Sequence, residues 1–502
     1  MTDWPALVAA AADRAGERWE LAGRLVDAAR DRQAAEQALT ALTAAPPALW
    51  PRLDDELRAA SAYHATGRWR VAVGGRRPLS ALLAACSRNG RERERAVRSE
   101  AVRTDPRLLP VLMIRTADWA PPVREQARRT LDEMLAAPGV LSPEQAATVL
   151  GVAVLLRARL RGDHAFTAVA RALAAAPDAT LATARAAADL RTRRAAHQIW
   201  LDSGRAGQDA LVHAALTEID PVSRVRCAAA VARTAVRERD AARLERLLGA
   251  RCARVRVEAL TGLVEIGRPE AGVAFLQTRS TLLRATAQWA VRRAGEDPAG
   301  LYRAAVSAGS EADSRTGEVS PGAVAGLGEC GTADDVYLLL PLLGHGRPRV
   351  RAEAVRAVRR LGGPMDPIAA MLTDPAPAVV RAVTRALRGE PGLPPTGRLW
   401  ELLNGERPRH VRLGAHRLLR SRDAWTRVEA DLVLITDPDP ELATRGRADL
   451  VAWMRRDSAT AYTPPSPAAR ERIRALLTTA APALGPDRTR LLRWLVETSR
   501  PA

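Results

Sequence analysis

The sequence of 502 residues contains no lysine, and aromatic side chains make up only 3% of it. All 76 basic residues are therefore arginine, and with 57 acidic residues they give a net charge of +19. Such an excess fits either the codon usage of a GC-rich genome or phosphate recognition, because the guanidinium fork suits phosphate oxygens. The excess is spread evenly along the chain, so no basic tail or single basic domain is expected.

Cysteine is also scarce. No two cysteines are close enough in sequence for a zinc motif of paired ligands, and a disulfide framework is not expected at this chain length. The four residues are Cys86, Cys227, Cys252 and Cys330. We expect them to be small buried residues.

Long apolar runs are missing as well. The longest, Val149 to Leu156, is far shorter than the ~20 residues that cross a bilayer as a helix. The first residues carry no basic segment followed by an apolar stretch, so no signal peptide is expected. These features predict a cytoplasmic protein without membrane insertion.

Patterns that would indicate catalysis are lacking too. The seven histidines form no His-x-x-x-His or His-Glu-x-x-His pair, and the chain has neither a nucleophile elbow nor a glycine-rich phosphate loop. Carboxylates are plentiful, but nothing singles out a catalytic pair. We therefore expect no catalytic residues, no metal and no cofactor, and predict that the protein is not an enzyme.

What the sequence has in abundance is alanine, leucine and a periodic arginine. Alanine and leucine favour helices, and a chain this long must form several domains or a repeat array. The repeat unit places an arginine directly after an aliphatic residue, with a small residue four positions after the aliphatic one, as in Val350, Arg351 and Ala354. Because positions i and i+4 share a helix face, each unit predicts one buried stripe.

The small residues Ala229, Ala259 and Ala287 are 30 and 28 positions apart, which sets the length of the repeat. Three weaker repeats could fill the 102 positions between Ala127 and Ala229, with a helix beginning after Ser142.

Several segments fall outside the repeat. A loop insertion is expected at 310–322, and the glycine-bounded stretch 67–75 is predicted to be a loop. We predict an N-terminal helical cap at 1–80, a repeat array at 81–460, and a linker with a helical cap at 461–502.

The pattern Asp-Pro-x-x-Val-Arg-x-x-Ala resembles the HEAT repeat, in particular its short bacterial variety, over roughly residues 80–455. This resemblance implies an all-α, right-handed α-solenoid of about nine to eleven stacked helical hairpins. It also implies a ladder of acidic and arginine side chains between neighbouring repeats. The residues at these two positions are Asp118, Arg124, Asp220, Arg226, Arg256, Arg284, Arg351, Arg412, Asp439 and Arg445.

A second set of arginines is predicted to face solvent. Six and nine positions after the aliphatic marker, the side chain lies about 120–180° from the buried stripe. Three successive second helices place arginines there: Arg356, Arg359, Arg385, Arg388, Arg417 and Arg420. For the middle pair the marker is taken as Val379, although Val380 fits the motif better and would shift the offsets by one. Trp289 occupies the equivalent face of an earlier helix and is a candidate binding anchor.

These features favour a scaffold that binds a protein or acidic peptide on the concave face of the solenoid. An ordinary solvated face is the alternative interpretation of the arginines. A nucleic-acid binder is the alternative function, since the alkylpurine DNA glycosylases are built from HEAT-like repeats; their catalytic Asp has no counterpart here. Bilin lyases share short HEAT-like repeats, but nothing beyond the repeat supports that resemblance.

Overall fold

A computed structural model describes residues 2–63, 68–137, 139–311, 319–390, 392–461 and 463–498. All regular structure within these ranges is helical. The α-helices, numbered in chain order, are α1 (Trp4–Asp13), α2 (Ala15–Ala28), α3 (Arg32–Thr43), α4 (Leu49–Tyr63), α5 (Arg68–Val73), α6 (Pro78–Ala85), α7 (Gly90–Arg98), α8 (Glu100–Thr104), α9 (Leu109–Arg115), α10 (Pro121–Ala136), α11 (Pro143–Leu156), α12 (Asp163–Ala175), α13 (Asp178–Arg185), α14 (Leu190–Asp202), α15 (Gln208–Thr217), α16 (Pro221–Glu238), α17 (Ala241–Leu248), α18 (Ala253–Glu265), α19 (Thr281–Arg293), α20 (Pro298–Glu311), α21 (Pro321–Cys330), α22 (Val336–Leu339), α23 (Pro348–Arg360), α24 (Asp366–Ala370), α25 (Pro377–Leu387), α26 (Thr396–Asn404), α27 (Arg409–Leu419), α28 (Ala424–Ile435), α29 (Pro440–Arg456), α30 (Pro467–Leu484) and α31 (Pro486–Thr498). Short 3₁₀-helices lie at Pro106–Leu108, Pro269–Phe275, Ala333–Asp335, Pro341–Gly344, Met371–Thr373 and Ser458–Thr460.

The chain divides into two compact units, residues 1–266 and 267–502. In the first unit the helices pair as hairpins, with α9 on α10, α11 on α12, α13 on α14 and α15 on α16. The first helix of one hairpin contacts that of the next, as α9, α11 and α13 do, and the second helices α10, α12, α14 and α16 contact one another in turn. Stacked hairpins of this kind form an α-solenoid.

The second unit repeats the arrangement, with second helices α21, α23, α25 and α27 in successive contact. Helix α23 shows why the sequence folds this way. Pro348 opens it at the first helical position, Val350 and Ala354 are buried one turn apart, and Gly362 follows it at φ +76°, a conformation that favours glycine. The predicted α-solenoid and its buried stripe are confirmed.

The helix predicted after Ser142 is also present, since α11 begins at Pro143. The loop predicted at 67–75 is wrong over 68–73, where α5 forms. Trp69 and Ala72, one turn apart in that helix, are both buried, so packing outweighs the flanking glycines.

Two other predictions from the sequence concern the loop insertion and the division of the chain into segments. The expected insertion falls at 312–318 on residues outside the described ranges, and the chain is helical again from Pro321. The three-part division at residues 80 and 460 stays a prediction. Among the described residues, no helix is both long enough and apolar enough to cross a membrane.

Candidate functional site

Helix α25 decides the register of the predicted arginine row. Arg385 and Arg388 are exposed, whereas Ala386 is buried. The offsets counted from Val379 therefore give the solvent face. Arg381 lies one turn before Arg385 on the same face and is also exposed, although the sequence analysis did not select it.

The row on α23 is exposed but neutralised. Arg356 donates to Glu353 at 2.6 Å, one turn earlier on the same helix. Arg359 forms an ion pair with Glu390 at 2.7 Å. Both guanidinium groups already have a carboxylate partner, so neither is free for an external anion.

Arg420 does not lie on the exposed face as expected. Its side chain is only 16% exposed and reaches inward, 2.9 Å from Asp431 and 3.3 Å from Asp449. Asp431 is fully buried and also accepts a hydrogen bond from His416 at 2.8 Å. Burial raises the pKa of Asp431 although His416 and Arg420 oppose that shift. A buried carboxylate needs such partners, which explains why Arg420 turns inward.

His416, Asp431 and Asp449 offer three possible ligand atoms within 4.8 Å of one another, so we considered a metal site. The Arg420 guanidinium lies against both carboxylates. Arg445 donates to Asp449 at 2.6 Å. Two cations therefore already lie against these carboxylates and oppose the approach of a divalent ion, although Asp431 Oδ2 and His416 Nδ1 have no hydrogen-bond partner in the described part of the chain. This group is better described as an internal ion network.

Four arginines of this surface have no such partner. None of Arg381, Arg385, Arg388 and Arg417 donates to a carboxylate in the described part of the chain. Arg381 and Arg385 are on α25, Arg388 directly follows its last residue, and Arg417 is on α27, which packs against α25. We call these four residues the arginine cluster.

Arg417 is the most unusual member of the arginine cluster, because it is half-buried without a counter-ion. Its pKa is lowered, first by burial and then by the charges of Arg445, Arg388 and Arg381, while Asp449 opposes the shift. Removing a charge from water is unfavourable unless an opposite charge compensates it. The arginine cluster is therefore a surface on which an external anion would relieve electrostatic strain.

Trp289 lies apart from this surface. It is 39% exposed on α19, and α21 and α23 come between α19 and the arginine cluster in the chain. Its role as a binding anchor stays a prediction.

The ladder arginines share a contact that the sequence did not predict. Arg351 donates to the backbone carbonyl of His345, six residues earlier, at 2.8 Å. Arg284 and Arg124 make the same contact six residues back, at 2.7 and 2.9 Å. In these three hairpins the marker arginine thus closes the turn, which explains its spacing of six from the turn residue, whereas Arg412 binds the Leu403 carbonyl nine residues earlier.

Three of the predicted ladder arginines also reach a carboxylate farther along the chain. Arg351 donates to both oxygens of Asp374 at 2.8 Å, and Arg284 donates to Glu329 at 2.7 Å. Arg412 pairs with Asp437. These contacts join neighbouring hairpins.

The acidic members of the ladder pair with arginines that the sequence analysis missed. Asp118, Asp220 and Asp439 accept from Arg93 (2.9 Å), Arg194 (2.9 Å) and Arg409 (2.6 Å), each in an earlier helix. In the sequence, these pairs could have been found by looking for an arginine about 25–30 residues before each acidic residue of a turn.

Four predicted ladder arginines make no such link. Arg124 bonds only backbone carbonyls, and Arg445 pairs with Asp449 in its own helix. Neither Arg226 nor Arg256 bonds a carboxylate in the described part of the chain.

In hairpin α15/α16 the turn is closed by Arg224, which donates to the Glu218 carbonyl at 2.8 Å. The arginine that closes this turn is therefore two residues before the predicted Arg226, because the turn starts at Glu218 rather than at Asp220.

Comparison with known proteins agrees with this architecture. A family model described as HEAT repeats matches residues 310–388. No curated protein matches the chain.

Among solved structures, an engineered protein is 17% identical, with a TM-score of 0.20, over 87% of this chain and 99% of its own. Importin beta is 12% identical, with a TM-score of 0.29, over 94% of this chain and 66% of its own. A structure of the TOG domain arrays of microtubule polymerases, which recruit tubulin, is 11% identical, with a TM-score of 0.23, over 79% of this chain and 99% of its own. The chain thus folds as an α-solenoid of stacked hairpins, and its residues 310–388 match HEAT repeats, which commonly serve as protein-interaction scaffolds.

Proposed function

We propose that the protein is a non-enzymatic interaction scaffold, and that its second helices α25 and α27 bind an acidic segment of a protein partner. The observation that carries the proposal is the arginine cluster. Its four guanidinium groups lie on or directly after two packed helices and have no carboxylate partner in the described residues, whereas their neighbours on α23 are paired.

The geometry suits several carboxylates rather than one. Arg381 and Arg385 lie one turn apart on α25, about 6 Å along its axis, and Arg388 directly follows the last residue of the helix, where the backbone is extended. Arg417 adds a fourth donor from the adjacent helix. Each guanidinium can grip a carboxylate with two parallel hydrogen bonds, so neighbouring Asp or Glu side chains of one partner segment could be held together. We further propose that this face is the concave one.

A protein partner is favoured over nucleic acid because the unpaired charge ends abruptly. A duplex presents phosphates continuously and is best held by a long basic track. On α23, Arg356 and Arg359 are already neutralised, and beyond α27 Arg420 and Arg445 are held by Asp449 and Asp431. The short patch between them fits a short acidic segment.

The test is a titration of the full chain with a fluorescent peptide of about 20 residues rich in Asp and Glu, beside a labelled DNA duplex, over a salt series. We expect the peptide to bind and Arg417→Glu to abolish that binding. The matched control is Arg356→Glu, the same charge reversal on α23 at an arginine already paired with Glu353, and it should bind as the wild type does.

Three outcomes would count against the proposal. Equal losses in both variants would mean that only net charge matters. If Arg417→Glu bound the peptide with wild-type affinity, the arginine cluster would not be the binding surface. Tight, steeply salt-dependent DNA binding without peptide binding would replace the proposal with the nucleic-acid alternative.

A further inference from the structure

Four large apolar side chains are exposed on the turns of successive hairpins in the first unit. Trp119, between α9 and α10, is 70% exposed, and Leu160, between α11 and α12, is 81% exposed. Leu190 opens α14 at 42% exposure, and Ile219, between α15 and α16, is 63% exposed. Leu216 flanks Ile219 and is 37% exposed. We call Trp119, Leu160, Leu190 and Ile219 the turn ridge.

The turn ridge runs along a single edge of the first unit. Each of its residues lies where the first helix of a hairpin passes into the second, and the second helices α10, α12, α14 and α16 stack in that order. Turns of the same type in stacked hairpins lie side by side. Packed helices are about 8–10 Å apart, so the four side chains should follow one another at about that spacing over roughly 30 Å.

The hairpin itself does not require apolar residues at these places. Trp119 and Ile219 each follow the carbonyl that the turn-closing arginine binds. In the α13/α14 hairpin, which Arg193 closes in the same way, that position holds Ala188, two residues before Leu190. In hairpins outside this stretch it holds Arg88, Arg279 or Gly346. The exposed apolar character is therefore a property of this stretch of the first unit.

The acidic residues of these turns point into the protein. Asp118 and Asp220 are buried and hold Arg93 and Arg194. Glu218, of which only 9% of the side chain is exposed, pairs with Arg193 and His197. Asp189 is the exception, since it is exposed and caps α14 through the Thr192 amide and hydroxyl. The other three carboxylates contribute little negative charge to the outer surface.

The outward charge beside the turn ridge is positive. Arg159, Arg161 and Arg191 are exposed, and their side chains bind no carboxylate in the described residues. Asp163 is an exposed acid close by, and it lies 3.5 Å from Arg157, so its charge is countered. The edge thus combines spaced apolar side chains with unpaired cations.

We propose that the turn ridge docks an amphipathic α-helix of a partner protein, with an apolar residue at every seventh position and acidic residues on either side. Seven residues of an α-helix advance about 10.5 Å, close to the spacing of the turns. Flanking carboxylates would meet Arg159, Arg161 and Arg191. This surface belongs to the other unit of the chain and does not depend on the arginine cluster.

The probe is a synthetic helix of 28 residues with leucine at positions i, i+7, i+14 and i+21, glutamate beside each leucine, and alanine elsewhere. Its binding to the full chain would be followed by fluorescence anisotropy. We expect Trp119→Ser and Ile219→Ser each to weaken binding at least about fivefold, because exposed anchors of this size dominate small interfaces. The matched control is Tyr337→Ser, an aromatic of the second unit that is 67% exposed, and it should leave the affinity unchanged.

Two altered probes separate the electrostatic contribution to the affinity from the apolar one. Replacing the glutamates of the probe with lysine should abolish binding, and moving the leucines to every fifth position should weaken it at least tenfold. Arg417→Glu should have no effect, which distinguishes this surface from the arginine cluster. No binding of the first probe, or equal binding of the two leucine spacings, would overturn the proposal. Since the replaced side chains are exposed, the variants should keep the wild-type circular dichroism spectrum.

Discussion

Asp220 gives the sharpest prediction about what holds the hairpins of the first unit together. Its side chain is fully buried and accepts hydrogen bonds from Arg194 at 2.9 Å, and from the Ser223 amide and hydroxyl at 2.9 and 3.0 Å. Burial alone raises the pKa of Asp220, but the hydrogen bonds from Arg194 and Ser223 outweigh it. The pKa is lowered to about 2 from an ordinary value near 3.8.

This shift sets the size of the effect. The difference between these two pKa values corresponds to about 2 kcal/mol of folding free energy that depends on the ionised carboxylate. Because the folded pKa is the lower one, that stability is fully present well above pH 4 and is lost as the pH falls towards 2. At pH 3 about 1 kcal/mol should remain.

The experiment compares Asp220→Asn with the wild type in urea at pH 6 and pH 3. Unfolding is followed by circular dichroism, with hydrogen exchange assigning the transition to the first unit. The variant should lose about 2 kcal/mol at pH 6 and about 1 kcal/mol at pH 3. Asp209→Asn, at an exposed carboxylate paired with Arg246, should change stability by less than about 0.5 kcal/mol. A loss that is the same at both pH values would refute the electrostatic account of this contact.

Three further predictions concern the second unit. Gly326→Ala should destabilise it by roughly 1–3 kcal/mol in urea unfolding, because an added Cβ would lie 2.1 Å from the Tyr302 ring; an unchanged midpoint would mean that the ring can move away. Arg417→Met should raise the thermal midpoint by removing an unpaired half-buried charge, while it weakens binding of the acidic peptide; a lower midpoint would show that the charge is compensated. Asp431→Ala should cost about 3 kcal/mol, since it leaves His416 without its carboxylate partner and Arg420 with Asp449 alone, and a loss below about 1 kcal/mol in the same assay would contradict the buried network.

The periodic features of the sequence were sufficient to predict the helices and their buried faces. In α23, Val350 and Ala354 are spaced one turn apart, and that spacing alone decides which side meets the core. The same reasoning placed Arg385 on the solvent face of α25, whereas Arg388 is exposed just beyond the end of the helix. Local spacing works because both residues of each pair belong to one rigid helix.

Contacts between hairpins were not predictable in this way. Arg351 and Asp374 are 23 residues apart, whereas Arg194 and Asp220 are 26 apart, because the hairpins differ in length. Arg420 was expected to face solvent, but Asp431 of the next helix draws it inward. Whether the arginines of the arginine cluster are paired likewise depends on the positions of carboxylates in neighbouring helices. The residue spacing within one helix does not predict those positions.

The central claim is that an acidic partner binds the arginine cluster. Because every basic side chain is arginine, an arginine-specific reagent such as phenylglyoxal, read by mass spectrometry, reports on all of them in one experiment. We predict that the acidic peptide protects Arg381, Arg385, Arg388 and Arg417 from modification and leaves Arg356 as reactive as in the free protein. Protection of Arg356 with these four still reactive, or equal protection along the whole chain, would contradict the account.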